Sequence, residues 1–136
     1  RFRNVTGVQT CALPILGMAK LLVVEADARQ RAVYREVFEN ARHQVIEAES
    51  ASEAVDVCMS EHPDLVLLDP HLGRFLGLSK GKWVADASHR CGTAPVVVIA
   101  EESECEEMEK LGPDAVVAKD MPADELIETV TSLLKA

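Results

Sequence analysis

The sequence predicts an α/β fold: a doubly wound parallel sheet of five strands with helices on both faces. From residue 18 onward, short apolar runs of strand length alternate with amphipathic stretches of helical period. No two neighbouring runs are joined by the short turn of a hairpin. Strands that alternate strictly with helices pair in parallel, because each helix returns the chain to the same end of the sheet. A chain of 136 residues suits one such domain.

Five apolar runs define the predicted strands. They occupy residues 21–24, 44–48, 64–69, 95–100 and 114–118. The first, third and fourth have unbroken apolar centres, which is typical of strands that helices cover on both faces. The second is weaker, because Gln44 and Glu47 interrupt its apolar side chains. Right-handed crossovers leave few arrangements for five parallel strands.

Amphipathic stretches fill the intervals between the strands. Asp27 can cap the first helix, and Ser50 or Ser52 can cap the second. Three further helices are predicted, over residues 79–90, over residues 102–111, and from Pro122 onward. Pro70, Gly73 and Gly77 mark a loop after the third strand.

The composition excludes several classes of function. The chain has 14 Lys+Arg against 23 Asp+Glu, a formal charge of −9, which repels nucleic acids and anionic membranes. Only 4% of the residues are aromatic, so the sequence offers no stacking platform for single-stranded nucleic acid. No apolar run is long enough to span a bilayer. We therefore expect neither nucleic acid nor membrane as a direct partner.

The four cysteines show no spacing that predicts chemistry. They lie at positions 11, 58, 91 and 105, with neither a CxxC pair nor a metal-ligand pattern. Cys58 falls on a predicted helix, where we interpret it as a small buried hydrophobe. The expectation is a chain with reduced cysteines in the cytoplasm.

The first seventeen residues differ in character from the rest of the chain. They contain two arginines and no acidic residue, and polar residues interrupt their apolar stretch, so a secretory signal is not indicated. Residues 5–15 resemble the translation of a sequencing-adapter oligonucleotide. We expect residues 1–17 to be a non-native or disordered leader and residues 18–136 to form the domain.

Acidic side chains and one lysine follow the predicted strands. Glu25 and Asp27 come after the first strand, Asp69 ends the third, and Lys119 follows the fifth. Because the carboxyl ends of parallel strands meet at one edge of a sheet, we expect these side chains to lie close together. Clustered carboxylates suit a hard cation such as Mg²⁺, and a lysine can neutralise a carboxylate or a phosphoryl group. Helix caps and salt bridges are the structural alternative.

From Met18 to Ala136 the chain resembles the receiver domain of two-component response regulators, the CheY-like superfamily. Five motifs carry the resemblance: the first strand with its acidic pair in LLVVEAD, the second strand and helix in QVIEAESASEAV, the phosphoacceptor strand in DLVLLDPHLG, the fourth strand in PVVVIA, and the fifth strand with its lysine in LGPDAVVAKDMPADEL. The resemblance implies a flavodoxin-like sheet of strand order 2-1-3-4-5 and a role in phosphorelay signal transduction.

The resemblance also implies a role for each matching residue. Asp69 would be the phosphoacceptor, attacking the phosphorus of a phosphohistidine or a small phosphodonor, and Lys119 would contact the phosphoryl oxygens. Glu25, Asp69 and the backbone carbonyl of His71 would hold Mg²⁺. The expected partners are a histidine kinase or phosphotransfer protein and an effector. Any enzymatic activity would be limited to accepting the phosphoryl group and losing it again.

Four positions depart from the family pattern. Ala26 replaces the second acid of the pair and cannot ligate a metal, so Mg²⁺ binding is expected to be weak or absent. Ala100 replaces the hydroxyl residue of the phosphorylation switch, and Val116 replaces its aromatic residue. A methyl group cannot donate the hydrogen bond of a hydroxyl. Asp120 replaces the proline that follows the lysine.

Two interpretations of the function remain open. In the first, the domain is a degenerate receiver that acts through protein–protein interaction. In the alternative, it is an active receiver phosphorylated on Asp69 by a histidine kinase, with an atypical switch. Residues 101–109 contain six glutamates, which form either a solvated helix face or a contact surface for an effector with a basic surface.

Overall fold

The computed structural model describes residues 19–135. The leader expected at residues 1–17 lies outside the described residues. Five strands are present: β1 (Lys20–Val24), β2 (Gln44–Ala48), β3 (Leu65–Leu68), β4 (Val96–Ala100) and β5 (Ala115–Ala118). Five α-helices follow them in alternation: α1 (Ala28–Asn40), α2 (Ala51–Glu61), α3 (Lys80–Arg90), α4 (Cys105–Glu109) and α5 (Ala123–Lys135).

The strands form one parallel sheet in the order β2-β1-β3-β4-β5. This confirms the predicted doubly wound fold and its strand order. The register aligns the carboxyl ends of the strands: Val24 lies opposite both Ala48 and Leu68, and Ala100 lies opposite Ala118. The residues that follow these five positions therefore lie at one edge of the sheet.

Each face of the sheet has its own apolar layer. On one face, Leu21, Val23, Leu65 and Leu67 pack with α1 and α5 through Phe38 and Val130. On the other face, the alternate side chains Leu22, Val24, Val66 and Leu68 pack with α2, α3 and α4 through Cys58, Trp83 and Met108. This two-sided burial explains why the central strands are unbroken apolar runs.

The predicted caps are present at the first two helices. The Asp27 carboxylate accepts hydrogen bonds from the backbone amides of Arg29 and Gln30, at 2.9 and 3.3 Å. Ser50, and not Ser52, caps α2, because its hydroxyl accepts from the Glu53 amide at 3.1 Å. The Glu53 carboxylate reaches back to the Glu49 amide at 2.8 Å, so the two side chains satisfy two free donors at the start of the helix.

Two segments differ from the predicted elements. The predicted loop after β3 contains a 3₁₀ helix, Pro70–Leu76, which Asp69 caps and Gly77 ends with a left-handed φ of 75°. The helix predicted over residues 102–111 is shorter, with a 3₁₀ turn at Glu102–Glu104 followed by α4. Like charges four residues apart, as at Glu102 and Glu106, disfavour a longer α-helix.

The prediction of reduced cysteines is wrong for two of them. Cys58 of α2 and Cys91, which follows α3, form a disulfide with their Cα atoms 5.0 Å apart. The prediction that Cys58 is buried is confirmed. The pairing is invisible in the sequence because the two residues are 33 positions apart and meet only when α2 and α3 pack on the same face. Within residues 19–135, no helix has the length and apolar character needed to cross a membrane.

Candidate functional site

Glu25, Asp69 and Lys119 reach the carboxyl edge of the sheet through the backbone itself. The amide of Glu25 donates to Ala48 O at 3.0 Å, and the amide of Asp69 donates to Val24 O at 3.0 Å. The amide of Lys119 donates to Ala100 O at 2.9 Å. These bonds extend the parallel ladders by one residue beyond the strands. They fix the first residue after β1, β3 and β5 at one edge, as the sequence predicted.

Glu25 is the most deeply buried acid of this edge, with 3% of its surface exposed. Its Oε2 accepts a hydrogen bond from the Asp27 amide at 3.2 Å, whereas its buried Oε1 has no hydrogen-bond partner among the described residues. Burial raises the pKa of Glu25, and the negative charge of Asp69 adds to this. The Asp27 amide and the positive charge of Lys119 oppose the shift. The free Oε1 is an acceptor that a cation or a donor group could use.

Asp69 is held from both its side chain and its backbone. Its Oδ1 accepts from the His71 amide at 2.9 Å, and its backbone carbonyl accepts from the indole nitrogen of Trp83 at 3.1 Å. The residue is 8% exposed, so its carboxylate is largely shielded but still open to solvent. Asp69 is thus a positioned carboxylate beside Glu25, a suitable geometry for either a nucleophile or a helix cap.

The basic side chains of the edge pair with glutamates that follow β4. Lys119 Nζ lies 3.8 Å from Glu101 Oε1, and His71 Nε2 lies 3.2 Å from Glu104 Oε1. Lys80 Nζ lies 3.9 Å from Glu104 Oε2. The hydrogen bond from His71, with the charges of His71, Lys80 and Lys119, lowers the pKa of Glu104. These side chains are partly exposed, so the ion pairs contribute little to the stability of the fold. Their main effect is to orient the side chains around the carboxyl edge.

The departures from the family pattern also lie around this edge. Ala26 is exposed directly after Glu25. Ala100 ends β4 with 1% of its surface exposed, and Val116 is half-buried on β5. The methyl group of Ala100 therefore lies buried at the end of the strand next to β3, where it offers no donor for a phosphoryl group on Asp69.

The carboxyl edge offers few side-chain ligands to a Mg²⁺ ion. Within the part of the chain that the structure describes, no three His, Cys, Asp or Glu side chains are grouped as a metal site. The available hard donors are the carboxylates of Glu25 and Asp69 and the backbone carbonyl of His71. Magnesium prefers six oxygen ligands in octahedral geometry and usually keeps several waters, so water would complete the set.

Two residues of the site gave no signal in the sequence. Trp83 lies on α3, fourteen positions from the Asp69 carbonyl that it binds. Arg31 on α1 donates through Nη1 to Glu25 O at 2.6 Å and through Nε to Glu47 Oε1 at 2.7 Å. Both act on the backbone that carries the acids. A contact to a main-chain atom leaves no residue pattern by which sequence analysis could find it.

The chain matches a known family over most of its length. The family model described as "Response regulator receiver domain" matches residues 21–131. The polar-differentiation response regulator DivK of Brucella ovis is 28% identical over 117 residues, which cover 84% of this chain and 94% of DivK.

Solved structures share the same fold. The receiver domain of the sensor histidine kinase PA1611 from Pseudomonas aeruginosa superposes with a TM-score of 0.73 at 17% identity, over 88% of this chain and 99% of that one. That structure has a magnesium ion coordinated in its active-site cleft. A two-component response regulator from Clostridium difficile gives a TM-score of 0.73 at 18% identity, covering 87% and 97% of the two chains.

The parallel sheet, the acidic edge and the family match over residues 21–131 agree with one another. The chain belongs to the response regulator receiver domain family, the receiver modules of two-component signalling systems.

Proposed function

We propose that this chain is a degenerate receiver that acts mainly through protein–protein interaction and is phosphorylated poorly. The observation that carries the proposal is the exposed methyl group of Ala26 beside the buried carboxylate of Glu25. Glu25 and Asp69 supply two carboxylates at the ligand positions of the family pattern, and Ala26 stands at the third. Phosphoryl transfer depends on neutralising the oxygens that carry the developing charge, and a weak metal site neutralises them poorly.

The readout of phosphorylation is also weakened in this proposal. Ala100 is buried at the end of β4 and has no hydroxyl to follow a phosphoryl group on Asp69. Val116 on β5 has no ring that could change its exposure. The Glu101 carboxylate already lies beside Lys119, so an incoming phosphoryl group would compete for that cation. We therefore propose that the fold presents a largely constant surface to its partners.

The alternative is an active receiver phosphorylated on Asp69 by a histidine kinase, with an atypical switch. The arrangement of Glu25, Asp69 and Lys119 at one edge favours it, as does the Oε1 of Glu25, which has no hydrogen-bond partner within residues 19–135. In this case Asp69 would attack phosphorus as an in-line nucleophile and Lys119 would neutralise the transferred group. Mg²⁺, when bound, would supply further charge neutralisation through Glu25, Asp69 and the His71 carbonyl.

Intact mass after treatment with a small phosphodonor separates the two proposals. The full chain is incubated with acetyl phosphate or phosphoramidate, with and without Mg²⁺, beside the variants Asp69→Asn and Ala26→Asp. The degenerate proposal expects little or no phosphoryl adduct on the wild type, and a much larger adduct on Ala26→Asp only when Mg²⁺ is present. A near-stoichiometric wild-type adduct that is absent in Asp69→Asn would establish the active receiver instead.

We further propose a cytoplasmic location and an effector partner with a basic surface. The glutamates of residues 101–109 lie on and before α4, and those at 102, 106 and 109 are exposed. In contrast, Glu104 and Glu107 pair with Lys80. A partner with a positively charged surface would be attracted to these glutamates. A second copy of the same acidic surface would be repelled by them.

A charge-reversal experiment tests this surface without breaking the Lys80 pairs. The variant Glu102→Lys/Glu106→Lys/Glu109→Lys is compared in a pull-down with Glu36→Lys/Asp124→Lys/Glu128→Lys, which has the same net charge but alters exposed positions on α1 and α5. Partners lost only with the first triple variant support the proposal. Equal capture by both variants contradicts it.

A further inference from the structure

We propose that Cys58 and Cys91 form a reversible redox modification site, at which a two-electron oxidation cross-links α2 to α3. The structure joins the two sulfurs in a disulfide, with Cα atoms 5.0 Å apart. That separation lies in the range that disulfides require, so both oxidation states fit the same backbone. The proposal does not depend on whether Asp69 is phosphorylated.

The cross-link closes a large section of the domain. The two cysteines are 33 positions apart, and the chain between them contains β3, Asp69, the 3₁₀ helix and all of α3. A cross-link over a loop of this length restricts the unfolded chain and so stabilises the folded state. Both side chains belong to the apolar layer on the same face of the sheet, which holds them in register before they react.

Burial and exposure suggest the order of the chemical steps. Cys58 is 4% exposed and Cys91 is 9% exposed. We infer that the more accessible Cys91 thiolate attacks a small-molecule disulfide such as oxidised glutathione, releasing one thiolate and forming a mixed disulfide. The Cys58 thiolate then attacks the Cys91 sulfur and releases the second. Two protein thiols lose two protons and two electrons, and one glutathione disulfide becomes two glutathione thiols.

Trp83 connects the cross-link to the carboxyl edge. The two cysteines and Trp83 line the same small apolar cavity, together with Ala87 of α3. Trp83 also donates the buried hydrogen bond to the Asp69 carbonyl. Oxidation thus fixes α3, the helix whose tryptophan holds the backbone of Asp69. Reduction leaves that helix held by packing, by the Trp83 hydrogen bond and by the Lys80 ion pairs.

The third described cysteine is a natural contrast. Cys105 is partly exposed, and it is the free cysteine of residues 19–135. Burial raises the pKa of the Cys105 thiol, and the surrounding glutamates raise it further, so little of the reactive thiolate forms. A redox response that involved Cys105 would therefore differ in rate and partner from one at Cys58 and Cys91.

The experiment counts thiols and reads Trp83 in the same samples. The full chain with Cys11→Ser is equilibrated in glutathione buffers from fully reduced to fully oxidised, alkylated and weighed intact. Its tryptophan fluorescence is recorded before alkylation, because Trp83 is the single tryptophan of the chain. The comparison set is Cys58→Ala, Cys91→Ala and, as the matched control, Cys105→Ala.

The proposal expects two fewer alkylated thiols in oxidising buffer, reversal on reduction, and a parallel change of Trp83 fluorescence. Oxidation should raise Tm by about 10 °C. Cys58→Ala should lose the internal disulfide and the rise of Tm but trap a glutathione adduct on Cys91. Cys91→Ala should lose all these responses, and Cys105→Ala should retain them. Equal alkylation in all buffers, or a rise of Tm that survives in Cys58→Ala or Cys91→Ala, would overturn it. So would a disulfide that never reduces in the folded protein.

Discussion

The indole nitrogen of Trp83 donates a buried hydrogen bond of 3.1 Å to the backbone carbonyl oxygen of Asp69. The bond joins the middle of α3 to the residue that directly follows the central strand β3. The Asp69 carbonyl lies just beyond the end of β3, and the indole gives it a buried hydrogen-bond donor. The conformation of the site therefore depends on a helix that contributes no acid, base or metal ligand to it.

Trp83→Phe should lower the free energy of unfolding by roughly 1–3 kcal/mol, because the Asp69 carbonyl would lose its buried indole donor and keep the longer bond, 3.4 Å, from the Leu72 amide. Urea denaturation followed by circular dichroism measures this. Tyr34→Phe is the matched control, since the buried Tyr34 hydroxyl has no hydrogen-bond partner within the described residues. That variant should be neutral or more stable. A larger loss from Tyr34→Phe than from Trp83→Phe would contradict the assignment.

Gly73 is required by the close approach of Trp83. A Cβ atom at position 73 would lie 2.7 Å from Trp83 Cγ, which no small shift relieves. We expect Gly73→Ala to destabilise the domain by about 1–3 kcal/mol. Gly81→Ala is the control on the same helix–loop unit, where the new Cβ meets only Leu111 Cδ2 at 3.4 Å. It should stabilise α3 by about 0.5–1 kcal/mol. The midpoint temperatures of thermal unfolding of the two variants are compared. Equal effects of the two substitutions would refute the requirement for glycine at position 73.

The buried Oε1 of Glu25, which has no hydrogen-bond partner among the residues that the structure describes, destabilises the fold. Glu25→Gln should raise the free energy of unfolding at neutral pH by roughly 1 kcal/mol, because an amide is cheaper to bury than a carboxylate. The measurement is urea denaturation in a chelating buffer. Glu36→Gln, an exposed position on α1, should change little. A loss of stability in Glu25→Gln would mean that the Glu25 carboxylate has a hydrogen-bond or ionic partner in solution.

Because His43 is buried, we expect its protonation to lower the stability of the fold in acid. Its side chain is buried, Nδ1 has no hydrogen-bond partner among the described residues, and burial lowers its pKa below the ordinary 6.5. The unfolded chain then binds the proton more readily than the folded one. Stability present above pH 6.5 is lost as pH falls from that value toward the lower folded pKa.

His43→Phe should flatten the decline of stability between neutral pH and pH about 5, since it removes the group that takes up the proton. Chemical denaturation at several pH values measures the slope. His89→Gln changes an exposed histidine and should leave the slope of the wild type. An unchanged slope in His43→Phe would show that other groups dominate the acid response.

Ala26→Asp should raise the affinity for Mg²⁺ by at least about tenfold, because it adds a hard oxygen ligand beside Glu25. Titration calorimetry of the full chain with MgCl₂ provides the measurement. Ala123→Asp adds the same charge at the exposed start of α5 and should leave the affinity unchanged. Equal gains in both variants would indicate a general effect of charge and would remove the argument for a two-carboxylate site.

The sheet and its edge were predictable because they follow from patterns of residue type. Unbroken apolar runs predict buried parallel strands, and the residue after each run reaches the common edge whatever its identity. This is why Glu25, Asp69 and Lys119 were placed correctly. The partner of Lys119 was not predicted. Glu101 follows another strand, and only the packed structure brings its side chain within 3.8 Å of the lysine.

Contacts between distant segments account for the remaining differences. The bond between Cys58 and Cys91 depends on the distance between α2 and α3. The spacing of the cysteines in the sequence carries no information about that distance. The bond from Trp83 to Asp69 ends on a main-chain atom, which every residue type has. Interactions of this kind require the fold before they can be inferred.

The strand order has a consequence for synthesis on the ribosome. Three strands that are neighbours in the sheet, β2, β1 and β3, are complete once Leu68 has emerged, whereas β4 begins only at Val96. During that interval the nascent polypeptide can pair the first half of its sheet while the far side of β3 has no neighbour. An unpaired apolar strand recruits other chains. The rate of translation of residues 69–96 thus sets how long the unpaired edge of β3 is exposed to other chains.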